Sequence, residues 1–149
     1  MANSIHDHYR ETEILTADPL KQVQMLYRAA IDSVAAARRH VLAGDIRERS
    51  LAITRAWTIL NELLYSLDHS VGGQISRNLA GLYTYMQTRL LEANSQQIEP
   101  PLAEVEKLLS TLLEGWCNAL LQSAALQNAV PIDAPDPHTQ EYVPVSCAY

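Results

Sequence analysis

Apolar residues that recur every three or four positions over long stretches, with a cap or bend at each end, leave a chain little choice but helices packed side by side. The clearest such stretch spans residues 63–94. There Ile75, Leu79, Leu82, Met86, Leu90 and Ala93 fall on one helical face, with Tyr83, Tyr85 and Leu91 outside it. Asp68, His69, Ser70 and the Gly72-Gly73 pair precede that face and favour a turn. An earlier stripe, Leu20, Val23, Tyr27, Ala30, Val34, Ala37 and Val41, opens at Thr16-Ala17-Asp18-Pro19 and closes at Gly44-Asp45. Leu26, Ile31 and Leu42 widen it. A second helix is expected over about 46–67, burying Ile53, Ala56 or Trp57, Leu60, Leu63 or Leu64, and Leu67. A fourth starts at Pro100-Pro101 and carries Leu102, Val105, Leu109, Leu112, Trp116, Leu120 and Ser123 to about residue 128.

Four long amphipathic helices joined by short turns bury their stripes most simply as an all-α, antiparallel, up-down four-helix bundle. No continuous run alternates with period two, so no sheet is expected. The bundle is placed at residues 17–128, after an N-terminal arm (1–16) and before a tail (129–149). The tail contains Pro131, Pro135, Pro137 and Pro144 without periodicity and is expected to be disordered.

The 149 residues suit one domain with a sizeable core. The chain carries 11 Lys+Arg against 17 Asp+Glu, a net charge of −6, and three of the acids (Asp133, Asp136, Glu141) lie in the tail. With no basic stripe, neither nucleic acid nor an anionic membrane is the expected partner. Cys117 and Cys147 make no disulfide framework and no zinc pattern. The start has no apolar run, and no apolar span reaches 18 residues, so a soluble, cytoplasmic protein is expected.

Chemistry finds little footing. Di-iron bundles need Glu-x-x-His pairs, and the sequence has none; HExxH, P-loop and GxGxxG motifs are likewise missing. No metal, cofactor or catalytic residue is assigned. His40 follows Arg38 and Arg39 and is the one candidate for histidine phosphotransfer. It lies four residues from Gly44, where a cation complements the helix dipole. Asp68-His69 has no patterned nucleophile, and Asp68 reads as a helix cap. Cys117 reads as a small buried apolar residue. What remains is surface. With 7 Tyr and no Phe, every one-ring aromatic has a polar tip suited to an interface. Leu26, Ile31, Leu64 and Leu91 place apolar surface on extra helix faces, as a groove for another helix would require.

An ordered set of motifs then resembles the flagellin export chaperone family, FliS. The pieces are Tyr9-Arg-Glu-Thr-Glu-Ile-Leu-Thr-Ala-Asp-Pro, Met25-Leu-Tyr-Arg-Ala-Ala-Ile and Asn61-Glu-Leu-Leu-Tyr-Ser-Leu-Asp, followed by Gly73 through Leu82-Tyr83, Arg89-Leu90-Leu91-Glu92-Ala93-Asn94 and Trp116. The resemblance implies a cytoplasmic, non-enzymatic chaperone. It would hold the disordered C-terminal segment of flagellin, prevent its polymerisation and hand it to the flagellar type III apparatus, with an export-gate component as a further partner. It implies an arm that covers part of the groove, touching it through Tyr9 and Ile5. Family analogy and the surface reading together nominate Ile5, Tyr9, Tyr27, Ile31, Leu64, Tyr83, Met86 and Leu91 as client contacts. A monomer or weak homodimer is expected. The alternatives are phosphotransfer through His40 and a bundle that merely self-associates.

Overall fold

A computed structural model describes residues 18–129. The expected arm and all but the first residue of the expected tail lie outside them, as do Ile5 and Tyr9. The described residues form four helices: α1 (Pro19–Ala43), α2 (Ile46–Tyr65), α3 (His69–Gln96) and α4 (Pro100–Asn128). α1 packs on α2 and α4, and α3 packs on the same two, which closes an antiparallel up-down bundle.

Local chemistry sets the boundaries. The Asp18 carboxylate accepts from the amides of Leu20 and Lys21 at 3.0 Å, Asp45 from Glu48 at 3.1 Å, and Asp68 from Ser70 at 2.9 Å and Val71 at 3.3 Å. Each satisfies amides the first helical turn leaves unpaired and places a negative charge at the positive end of the dipole. Gly44 ends α1 at φ 72°, where its N–H reaches the carbonyls of His40 and Val41. α4 opens on Pro100-Pro101, whose missing amide hydrogens cost nothing in a first turn.

The core follows the stripes with changes of phase. Tyr27, Ala30, Val34 and Ala37 of α1, Ile53, Ala56, Leu60 and Leu63 of α2, and Leu102, Val105 and Leu109 of α4 are buried as the spacing requires. On α4 the buried positions then step by four to Leu113 and Cys117, leaving Leu112, Trp116 and Leu120 half-buried and Ser123 exposed. Steps of four outrun a 3.6-residue turn, so the buried face rotates along the helix. On α3 the expected Ile75 is exposed, and Tyr83, expected beside the stripe, is buried. The buried set there is Ser76, Tyr83, Met86, Gln87, Leu90 and Ala93. α3 also begins at His69, ahead of the glycine pair, and breaks at Gly73 (φ 51°, ψ −124°). That conformation suits glycine and denies a continuous helix its phase.

Polar pairs fix how the helices face one another. Arg38 of α1 bridges Glu99 (2.5 Å) at the foot of α4 and Glu106 (2.7 Å) on it. Arg89 of α3 meets Glu104 of α4 at 2.9 Å, and Tyr85 donates to the same carboxylate. Arg49 and Ser50 of α2 both donate to the Asn94 side-chain oxygen of α3, at 3.2 and 3.1 Å.

The two α3 glycines therefore separate by sign. Gly81 is exposed mid-helix, with open space where a Cβ would sit. Gly81→Ala should raise stability by about 0.5–1 kcal/mol. Gly73→Ala meets no clash but a φ/ψ pair (51°, −124°) open essentially to glycine alone, and should lower stability by about 1–3 kcal/mol. Urea unfolding of the two variants checks both signs.

Candidate functional site

α2 has 20 residues, whereas α1, α3 and α4 have 25, 28 and 29. At 1.5 Å per residue, α4 outreaches α2 by roughly 13 Å. Among the described residues, stripe positions beyond the end of α2 have no fourth helix to cover them. They line an open groove of about 400 Å³ at that end of the bundle.

Three helices and a turn contribute. α1 supplies Leu20, Val23 and Tyr27; the α2–α3 turn supplies Ser66, Leu67 and Asp68; α3 supplies Val71, Gly72, Ile75, Ser76, Leu79 and Tyr83; α4 supplies Trp116. The rim is wet and apolar, with Leu20 50%, Ile75 71% and Val71 84% exposed. Val23, Leu79 and Trp116 are half-buried walls. Tyr27 and Tyr83 form the floor, each 2% exposed.

The floor is built tightly. The Trp116 indole N–H donates to the Leu20 carbonyl at 3.1 Å, and its ring centre stands 6.5 Å from that of Tyr27. The rings of Tyr27 and Tyr83 are tilted with centres 6.4 Å apart, and their hydroxyls share a hydrogen bond. Burial pushes both phenols above their ordinary value; the bond between them raises Tyr83 further and opposes the rise for Tyr27. Asp68 at the turn is held below the usual carboxylate range, first by the Ser70 hydroxyl and then by the Ser70 and Val71 amides. Its Oδ1 is thereby committed to capping α3. Ser76 ties its hydroxyl to the Asp68 carbonyl at 3.1 Å, and a Cβ on Gly72 would sit 1.8 Å from that same hydroxyl oxygen. The turn and the first turn of α3 can approach this closely only with glycine at that position.

Of the nominated contacts, the structure brings Tyr27 and Tyr83 together in the groove. Ile31 and Leu64 are partly buried against the core and do not line it. Met86 is fully buried and offers no surface. Leu91 is 56% exposed, about 12 Å further along α3 than Tyr83. Sequence reasoning assigned Leu20, Val23, Leu67, Ile75, Leu79 and Trp116 to buried stripes, and it passed over Val71. The available signal was the shorter second stripe, which cannot cover the ends of the other three. His40 sits in the last turn of α1 and His69 opens α3. Among the described residues no three metal-binding side chains cluster, and no helix is long and apolar enough to cross a membrane.

A four-helix bundle with an open apolar groove at one end belongs to the class of helical binding modules. Comparison with known proteins narrows the class. The chain matches the family described as flagellar protein FliS over residues 1–123, and it belongs to that family. It is 36% identical over 107 residues to the flagellar secretion chaperone FliS of Salmonella typhimurium, covering 71% of this chain and 79% of the relative. It is 34% identical over 106 residues to the flagellar secretion chaperone FliSB of Pseudomonas aeruginosa, covering 71% and 84%. The Campylobacter jejuni flagellar secretion chaperone FliS is 31% identical over 114 residues, covering 76% and 89%. The family is thus one of flagellar secretion chaperones, which is not an enzyme class.

The floor makes a pH prediction. Both tyrosines have raised values in the fold, so the stability they lend is complete below pH 10, where the unfolded phenol is still neutral. Above that the unfolded chain ionises first, and stability falls with rising pH by up to about 1.4 kcal/mol per unit for each tyrosine. The urea midpoint should drop between pH 9 and 11, and the drop should be shallower in the Tyr27→Phe/Tyr83→Phe variant.

Proposed function

We propose that this protein is a cytoplasmic export chaperone that binds the disordered C-terminal segment of flagellin. It keeps flagellin from polymerising early and delivers it to the flagellar type III secretion apparatus, where an export-gate component is its second partner. The observation that supports this best is the groove, with an apolar rim and walls over a floor of two tyrosines, in a chain whose family relatives are secretion chaperones. That membership leaves phosphotransfer through His40 without support. The working unit is a monomer or a weak homodimer.

The mechanism is coupled folding and binding, without catalysis or nucleotide. An apolar client segment covers Leu20, Val71 and Ile75 and gains roughly 25 cal/mol per Å² of apolar surface removed from water. Ordering the segment offsets much of the gain, so a long contact yields moderate affinity and permits release. The chain's own arm meets the described residues at Asp18, two positions before Leu20 on the rim. The nine residues from Asp18 back to Tyr9 can span up to about 30 Å. Tyr9 and Ile5 can therefore reach the groove and compete with the client, which lowers its apparent affinity.

Titration calorimetry against a C-terminal flagellin peptide tests this. Submicromolar binding with a large negative heat-capacity change is expected, and folded protein that does not bind would overturn the reading. Ile75→Glu places a charge on an exposed rim position. It should weaken peptide binding at least tenfold while stability stays within about 0.5 kcal/mol. Tyr9→Ala should tighten binding if the arm covers the groove, and weaken it if Tyr9 touches the client.

A further inference from the structure

Tyr27 and Tyr83 both line the groove, and each carries one hydroxyl proton. Their mutual hydrogen bond uses one. Among the described residues neither hydroxyl makes a second hydrogen bond. A donor left over beneath an apolar groove, on side chains 2% exposed, is costly unless something answers it.

We propose that the Tyr27–Tyr83 hydroxyl pair reads the docked segment by donating its spare O–H to an uncharged carbonyl oxygen of that segment. The inference rests on the flagellin reading above and adds what the groove selects for. Apolar side chains supply the attraction, and one correctly placed acceptor decides which apolar segment fits. The surroundings that hold both phenols neutral disfavour a carboxylate there for the same desolvation reason. Carbonyls inside a helix are already bonded. The acceptor therefore comes from an extended stretch, the free carbonyls at a helix C-terminus, or an Asn or Gln side chain.

The test uses the full chain titrated with the C-terminal flagellin peptide. In Tyr27→Phe/Tyr83→Phe both partners of a buried bond become apolar, so stability is kept or raised, while the peptide carbonyl loses its donor and binding weakens about tenfold. Each single Phe variant keeps one hydroxyl free to donate and should bind within about threefold of the unaltered protein. This pattern of mild singles and a severe double at preserved stability separates a reading role from a packing role. Equal affinity in the double variant would overturn the inference and leave the flagellin reading standing, with water answering the spare proton. Loss of affinity in step with loss of stability would also overturn it. If the unaltered protein fails to bind the peptide, the flagellin reading falls and this inference with it. Should the double variant not fold, infrared difference spectra of the unaltered protein decide. The phenolic C–O stretch shifts on adding peptide if a tyrosine becomes the donor, and an unchanged band overturns the proposal.

Discussion

Unequal helix length is the constraint from which the rest of this structure follows. A bundle of four equal helices buries every stripe and leaves a closed surface. Here the second helix ends at Tyr65 while α3 and α4 carry eight or nine residues more. Among the described residues, the apolar positions at one end of α1, α3 and α4 remain without a covering helix, and the groove is that remainder. Its residues are core residues in type and spacing, which is why they form walls and a floor rather than a scattered patch. The same deficit turns Leu20 and Ile75 into rim.

A groove made from leftover stripe is useful only if the helices around it cannot rotate to bury it. The polar seams oppose that rotation. Arg38 clamps α1 to the start of α4, Arg89 and Tyr85 clamp α3 to α4, and Asn94 holds Arg49 and Ser50 from α2. Most of these side chains are a quarter or more exposed, so their net contribution to stability is small. Their value is geometric, since rotating any one helix would separate charges already placed at contact distance. Arg49 is the exception at 6% exposure, where its amide partner repays part of the cost of a buried cation. All three seams lie towards the end opposite the groove, and the groove end is held by apolar contacts together with the Trp116–Leu20, Tyr27–Tyr83 and Ser76–Asp68 bonds.

The fold was legible in the sequence because its signals are local. Aspartate before a stripe, glycine or proline at its limits and steps of three and four each act within one or two turns. They placed α1 almost to the residue. The site was less legible because it depends on relations between helices. Ile75 and Tyr83 show the difference. Spacing alone put Ile75 on the stripe and Tyr83 beside it. The structure buries Tyr83 because Tyr27, on the far side of the bundle, answers its hydroxyl. No count along α3 contains that fact. Met86 shows the converse, a residue whose type suits a binding surface and whose position lies wholly in the core.

The division between floor and rim bears on how such a groove can hold and release a chain. Tyr27 and Tyr83 belong to the same buried cluster as Leu60, Leu90 and Leu109, so their positions are set by the whole core. They add little ordering cost when a partner arrives. Val71 and Leu20 sit on first turns, where only a cap and a few neighbours restrain them, and they can adapt. A rigid floor supplies discrimination, and an adaptable, half-hydrated rim supplies area at modest gain per residue. Because the rim residues are already partly in water in the free protein, a departing segment re-exposes only part of what it covered. For the proposed client segment, the activation cost of leaving is therefore spread over small steps, each reversible.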